Sequence, residues 1–358
     1  MATIRDVARG SGVSVATVSR VFNDNPRVSE AARKRVLAAA GRLGYWPNGT
    51  ARSLITHRTH AVGVLLPDLH GEFFSEVIRG IDSAARQRHL HLLVSSFTSN
   101  PDDLMSALRA VRGRVDGLIV MAPDLDASNA LPPGAGGIPT VLLNPEVEVA
   151  GRDSISIANF DGAYAMARHL LKLGHRRIAT ITGPESNIDA RQRLDGYRAA
   201  LLAAGIDTSE KLEYRGHFTE RSGYEAAIEL LGRPPRPTAI FVANDLMAVG
   251  VMGALQDSRL RVPEDVAVTG FDDVPMARYL TPPLTTVHVD MLQLGQRAVH
   301  LLLDPRDPDA PEGMHEVQGT TLVVRSSCGS RPPRQAGSRV RSGRRHAVAS
   351  VAPLGLKT

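Results

Sequence analysis

The sequence predicts a small all-α head built on a helix-turn-helix, followed by a two-lobed α/β body, and three observations lead there. Residues 3–44 carry helix-period apolar stripes punctuated by glycine and serine. From residue 61, short apolar runs alternate with amphipathic stretches, the pattern of parallel strands joined by crossover helices. Charge divides along the same line: residues 1–60 hold ten Lys/Arg against three Asp/Glu, and residues 329–358 hold seven against none. The net charge of +5 therefore leaves residues 61–328 at −9. A strongly basic head on an acidic body suits a polyanionic partner for the head alone.

Three helices are expected in the head. Ile4, Val7 and Ala8 fall at i, i+3 and i+4, with Arg5, Asp6 and Arg9 opposite. Gly12 breaks this helix because it can adopt the left-handed turn conformation, and Val13 plugs the small core. Ser14 caps a second helix through Phe22, which Asn23, Asp24, Asn25 and Pro26 stop. Val18, Val21 and Phe22 face inward, leaving Val15, Ala16, Ser19 and Arg20 outward, as a helix lying in a major groove requires. Ser29 caps a third helix through Leu43, and Gly44 ends it.

The segments DVARGSGVSVATVSRVFN, VSEAARKRV and GYWPNGTARSL together resemble the DNA-binding head of the lac and gal repressor (LacI/GalR) family, and the resemblance extends from residue 2 to about 327. It implies a helix-turn-helix domain over residues 1–46 and a hinge helix and linker over 47–60. It implies DNA contacts from Thr3, Ser14, Val15, Ala16, Thr17, Ser19, Arg20 and Asn23 in the head, and from Asn48, Ala51 and Leu54 in the hinge. Pro47 and Asn48 suit a helix start, yet Ala51, Arg52, Ser53 and Leu54 are too short to stand as a helix alone in water. In the family this segment folds only when two protomers meet on an operator, and the residue matching Leu54 wedges into the minor groove and kinks the duplex. Gly49 and Thr50 are poor helix formers, so this hinge is expected to order reluctantly.

In the body, AVGVLL, LHLLV, DGLIVM and PTVLL are expected as buried strands, with crossover helices in FFSEVIRGIDSAARQR and DDLMSALRAVRG. A second unit repeats the pattern with RIATIT, AIFVA and VAVTGF and helices in GAYAMARHLLKLG, ARQRLDGYRAALLAAG, RSGYEAAIELLG and DLMAVGVMGALQD. Two such units joined by short crossings near 157–161, 286–290 and 316–322 form a clamp, with ligand between the carboxyl ends of the two sheets. The resemblance names this a periplasmic-binding-protein-like (type I) effector and dimerisation domain over 61–328. Lobe 1 takes about 61–158 and 288–315, and lobe 2 about 159–287 and 316–328. The Arg-, Ser-, Pro- and Gly-rich segment 329–358 is expected to be a basic disordered tail.

A polyol ligand needs planar donors, carboxylate acceptors and an aromatic face for its C–H surface. Strand-end loops supply them: Phe73 and Phe74, Asn144, Arg193, Phe218, Asn244 and Asp272, which also match effector-contacting positions of the family. Arg193 and Asp272 are expected as fork and acceptor on adjacent hydroxyls, with Phe218 or Phe74 as stacking wall. Duller roles stay open: Asn244 or Asp245 as helix cap, Asp272 and Asp273 as turn residues, the phenylalanines as core. Met121 and Val289 stand where sugar binders often carry polar residues, and a purine clamped by the aromatic pair is the rival ligand.

Catalysis lacks a vehicle here: GxSxG, Walker, HExxH and CxxC patterns are all missing, and no cofactor or metal is expected. Gly134, Gly136 and Gly137 run into Ile138 and Pro139 instead of a helix, making a loop. The twelve histidines show no metal-ligand spacing; His89 and His91, flanking Leu90, are expected at the surface. One cysteine, Cys328, fits a reducing compartment, and no run of about eighteen apolar residues suggests a membrane span. Arg5 and Asp6 spoil a signal peptide, so a cytoplasmic location is expected. Expected partners are double-stranded operator DNA, a small-molecule effector, a sugar by the commoner family behaviour, and a second copy of the chain. A solute-binding protein without a DNA role is the alternative that the basic head opposes.

Overall fold

A computed structural model describes residues 2–23, 25–46, 58–98, 100–124, 137–207, 212–304 and 313–330. The hinge positions Asn48, Ala51 and Leu54, the glycines Gly134 and Gly136, and the tail from residue 331 lie outside the described residues.

The head packs α1 (Ile4–Ser11), α2 (Val15–Phe22) and α3 (Glu30–Leu43) around Val7, Val18, Val21, Val36 and Ala39. Gly12 takes φ 68° and lets the chain turn from α1 into α2. Ser14 and Ser29 cap α2 and α3 by accepting from the amides of Thr17 and Ala32. Arg33 reaches from α3 to the carbonyls of Val21 and Asn25, tying the third helix to the end of the second.

Lobe 1 is built on a six-stranded parallel sheet in the order β11-β5-β4-β3-β1-β2. Its strands are β1 (Ala61–Leu66), β2 (His91–Ser96), β3 (Gly117–Met121), β4 (Thr140–Leu143), β5 (Asp153–Ile157) and β11 (His315–Gln318). Helices α4 (Glu72–Gln87), α5 (Pro101–Val111) and α10 (Met291–Leu303) cover it. Reciprocal glycines bring α4 and α10 together: a Cβ on Gly80 would lie 2.1 Å from the Leu292 carbonyl oxygen, and one on Gly295 2.2 Å from that of Val77. Lobe 2 carries a four-stranded parallel sheet, order β7-β6-β8-β9, from β6 (Ile178–Thr182), β7 (Glu213–Arg215), β8 (Ala239–Val242) and β9 (Ala267–Thr269). It is flanked by α6 (Asn159–Lys172), α7 (Ile188–Ala203), α8 (Glu220–Leu231) and α9 (Asp245–Asp257). The chain passes between the sheets after β5, after β10 (Thr286–His288), and between β11 and β12 (Thr321–Val323). β10 and β12 pair antiparallel beside lobe 2. One apolar core runs from the α4 and α10 side of lobe 1 into lobe 2, and a second fills the α5 side.

One expected strand sits differently from its sequence pattern. The run LHLLV was expected as a buried strand, but β2 is the edge of the lobe 1 sheet, and Leu93 and Val94 remain 39% and 40% exposed. A run of apolar residues records only that two faces want burial; it does not show that one face is left for another surface.

Candidate functional site

On the head, α2 presents its N-terminal end outward. Val15, Ala16 and Arg20 are exposed, Thr17 and Ser19 half-buried, while Val18 and Val21 are buried beneath them. The Ser14 hydroxyl accepts from the Thr17 amide at 3.1 Å, so its side chain is spent on the helix start as well as facing outward. Asn23 is exposed just past the helix end, its amide 3.4 Å from the Ser19 hydroxyl. Thr3 forms a capping box with Asp6: its hydroxyl donates to the Asp6 carboxylate at 2.7 Å, and the Asp6 amide donates back at 3.4 Å. Hydrogen bonds from the Thr3 side chain and amide hold the Asp6 carboxyl below its ordinary range.

The cleft lies between the lobes, a cavity of about 300 Å³ at the carboxyl ends of both sheets. Lobe 1 contributes the loop after β1, the first turn of α4 and the end of β3; lobe 2 contributes the loops after β6, β7, β8 and β9. Phe73 and Phe74 meet edge to face, ring centroids 5.4 Å apart, on the lobe 1 side. Phe218 faces them from lobe 2, and Met121 extends the apolar wall. Val289 is fully buried and does not reach the cavity.

Arg193, on α7, is 4% exposed and fully engaged. Its Nε donates to Asn159 Oδ1 at 2.8 Å, and Nη1 donates to the Ala243 carbonyl at 2.6 Å. Nη2 lies 3.1 Å from Asp272 Oδ1, and the guanidinium sits 3.8 Å above the centre of the Phe271 ring. The expected arrangement, fork and acceptor open to adjacent ligand hydroxyls, is thus replaced by a closed pair: two opposite charges this deeply buried satisfy one another first. Asp272 Oδ1 is buried against Arg193, close enough for charge attraction but without a well-directed hydrogen bond. Burial, with Asp189 adding to it, raises the Asp272 carboxyl to about 6 against the opposing pull of Arg193.

Asn244 caps α9, its Oδ1 accepting from Met247 at 2.9 Å, and its Nδ2 donates to the Phe218 carbonyl at 3.3 Å. It therefore fixes the aromatic wall as well as lining the cavity. Asn144 stands behind the cleft, not in its lining; its Nδ2 donates to Asp189 Oδ2 at 3.0 Å, linking the end of β4 to α7. Backbone strain gathers here: Asn144, Phe218, Asp272 and Asp273 hold φ of 46°, 60°, 108° and 58°.

Five acids beyond the expected set line the cavity: Asp68, Glu72, Asp124, Asp189 and Asp245. Asp189 accepts from Asn144 and Asn159, and burial raises its carboxyl. Asp245 accepts from the Thr286 hydroxyl at 2.6 Å and the Val274 amide at 2.9 Å; burial, then the neighbouring Asp272, push it well up. Glu72 accepts from the Met276 amide at 2.9 Å, crossing from lobe 1 to lobe 2. Asp189 had a legible signal: it precedes Arg193 by one helical turn and so shares its face. Glu72 had none, because its partner depends on how the lobes meet.

A helix-turn-helix head joined to a two-lobed body with a polar, aromatic-walled cleft defines a DNA-binding regulator that answers to a small ligand. Residues 3–48 match the family model for bacterial regulatory proteins, lacI family, and residues 167–328 match the periplasmic binding protein-like domain. The chain is 38% identical over 305 residues to the ribose operon repressor of Escherichia coli (strain K12), covering 85% of this chain and 92% of that protein. It is 35% identical over 333 residues to the HTH-type transcriptional repressor PurR of Haemophilus influenzae (strain PittEE), covering 91% and 98%. The structure of the Lac repressor bound to ONPG in its repressed state superposes with a TM-score of 0.81 at 34% identity, over 91% of this chain and 99% of that one. The chain belongs to the lacI family of bacterial regulatory proteins. It is a ligand-responsive transcriptional repressor and not an enzyme.

Proposed function

We propose that this repressor controls carbohydrate uptake or catabolism genes, binds a pseudo-palindromic operator as a homodimer, and is switched by a small sugar. The single observation that carries the ligand class is the opposition of Phe73, Phe74 and Phe218 to Arg193, Asp189 and Asp272 in one cavity. Aromatic faces suit the C–H surface of a sugar ring, and carboxylates suit its hydroxyls. The kinship with a ribose operon repressor supports the same class. In the head, α2 reads base edges through Val15, Ala16 and Arg20, with Thr3, Thr17, Ser19 and Asn23 beside it, and the hinge positions Asn48, Ala51 and Leu54 enter the minor groove. One short helix makes few base contacts, so two copies share the work. The exposed edge β2 offers apolar surface for the second copy. The protein acts in the cytoplasm, where its operator lies; no helix among the described residues is long and apolar enough to cross a membrane.

The test is a gel shift of DNA flanking the protein's own gene, repeated with a panel of pentoses, hexoses and disaccharides. A retarded band whose strength changes with one of the sugars supports the proposal. Retardation unaffected by every sugar but altered by hypoxanthine or guanine transfers the site to purines, in line with the PurR relatives.

A further inference from the structure

Four helices start at the cleft, and such ends ordinarily bind anions through free amides and the helix dipole. Here each is already matched by an acid in its own first turn: Glu72 on α4, Asp189 on α7, Glu220 on α8 and Asp245 on α9. Asn187 and Asn244 further occupy amides of α7 and α9 with their side-chain oxygens. The α4 end has no side-chain cap, yet Asp68 stands in the loop before it, accepting from the amides of Leu69 and His70. Among the described residues Arg193 is the single Lys or Arg in the lining, and its three nitrogens are committed to Asn159, Ala243 and Asp272. Among them no Lys or Arg is left over for a phosphate. What the lining offers instead is acceptors, the carboxyls of Asp68, Glu72, Asp124, Asp189, Asp245 and Asp272.

We propose that the effector carries no phosphate or carboxylate, and that the cleft selects a free, uncharged, donor-rich ligand against its phosphate ester. This rests on the sugar-responsive assignment but deepens it, since the same backbone cradle with basic linings would accept sugar phosphates. A phosphate entering this cavity meets carboxyls on both lobes at short range in a partly desolvated space, where like charges repel strongly. Whichever of these carboxyls holds a proton, none supplies a positive charge. The cell would then sense the nutrient before the phosphorylation that commits it to breakdown.

The experiment is isothermal titration of the full chain at pH 8. Matched pairs serve as probes: ribose and ribose 5-phosphate, glucose and glucose 6-phosphate, fructose and fructose 1-phosphate, inosine and inosine 5′-monophosphate, with hypoxanthine alongside as the free base. The expected result is that one free sugar binds and its ester binds at least about 100-fold more weakly. An ester binding as tightly as its parent, or tighter, overturns the exclusion of anions while leaving the sugar assignment intact. Binding confined to hypoxanthine overturns the sugar assignment and upholds the exclusion. No binding in any pair counts against both.

Discussion

Asp272 brings together a left-handed backbone and a buried ion pair at the wall of the cavity. Its carboxyl is raised from 3.8 to about 6, so between those pH values the folded chain holds a proton that the unfolded chain has released. Stability therefore falls as pH rises through that window. The stability difference between wild type and Asp272→Asn should shrink over the same range, by up to about 1.4 kcal/mol per pH unit; urea melts at pH 4, 5, 6 and 7 measure it. A pH-independent difference would mean that Arg193 keeps Asp272 ionised throughout. Arg193→Ala should lose effector binding and cost about 3 to 5 kcal/mol, because it strands Asp272 in the interior; calorimetry and denaturant unfolding read the two effects separately. At this scale the sequence showed residue types well and their partners poorly. Arg193 and Asp272 were recognisable as candidate site residues, but their mutual pairing depends on how α7 and the loop after β9 meet, which no local pattern carries. Asn144 was placed in the lining by position, whereas its left-handed φ turns it to Asp189.

Elements were more legible than partners. Periodicity located every head helix and the long crossover helices except α10 (Met291–Leu303), since a buried stripe on an amphipathic helix leaves a strong repeat. The strands β5, β7, β10, β11 and β12, three to five residues each and mostly polar or mixed, escaped because so few residues cannot establish a period. Val15 and Ala16 form the exposed small-residue end of α2, with apolar surface suited to thymine methyls. Exchanging this pair for bulkier or polar residues should change the preferred half-site in a selection from random DNA, with the head still folded by circular dichroism. A uniform drop in affinity across all sequences would assign them to packing. Where the linker joins lobe 1, Asp116 accepts from the Thr59 amide and hydroxyl at 2.6 and 2.8 Å and from the His60 amide at 2.8 Å. The His60 carbonyl in turn accepts from the amide of His91 at the start of β2. These bonds fix the exit of the linker to the lobe, so Asp116→Asn should weaken operator binding about 10-fold. Effector affinity should stay unchanged by titration; equal losses at both sites would indicate general destabilisation.

At the scale of the whole molecule, a basic head, an acidic body and a cleft between two lobes divide the labour of binding DNA and sensing a ligand. The lobes touch on both sides of the cavity: Glu72 with the Met276 amide, and the Ile188 amide with the Pro123 carbonyl at 3.0 Å. A ligand that favours one lobe angle can therefore bias the geometry presented to the operator, with a coupling of about 1 to 3 kcal/mol. That coupling is the centre of the account. The most direct test measures operator affinity by fluorescence anisotropy, with and without saturating effector, for the intact chain and for Asp272→Asn. The account predicts a change of about 5- to 150-fold for wild type and none for the variant, whose operator affinity without effector matches wild type. An effector that binds the cleft tightly yet leaves operator affinity unchanged would contradict it.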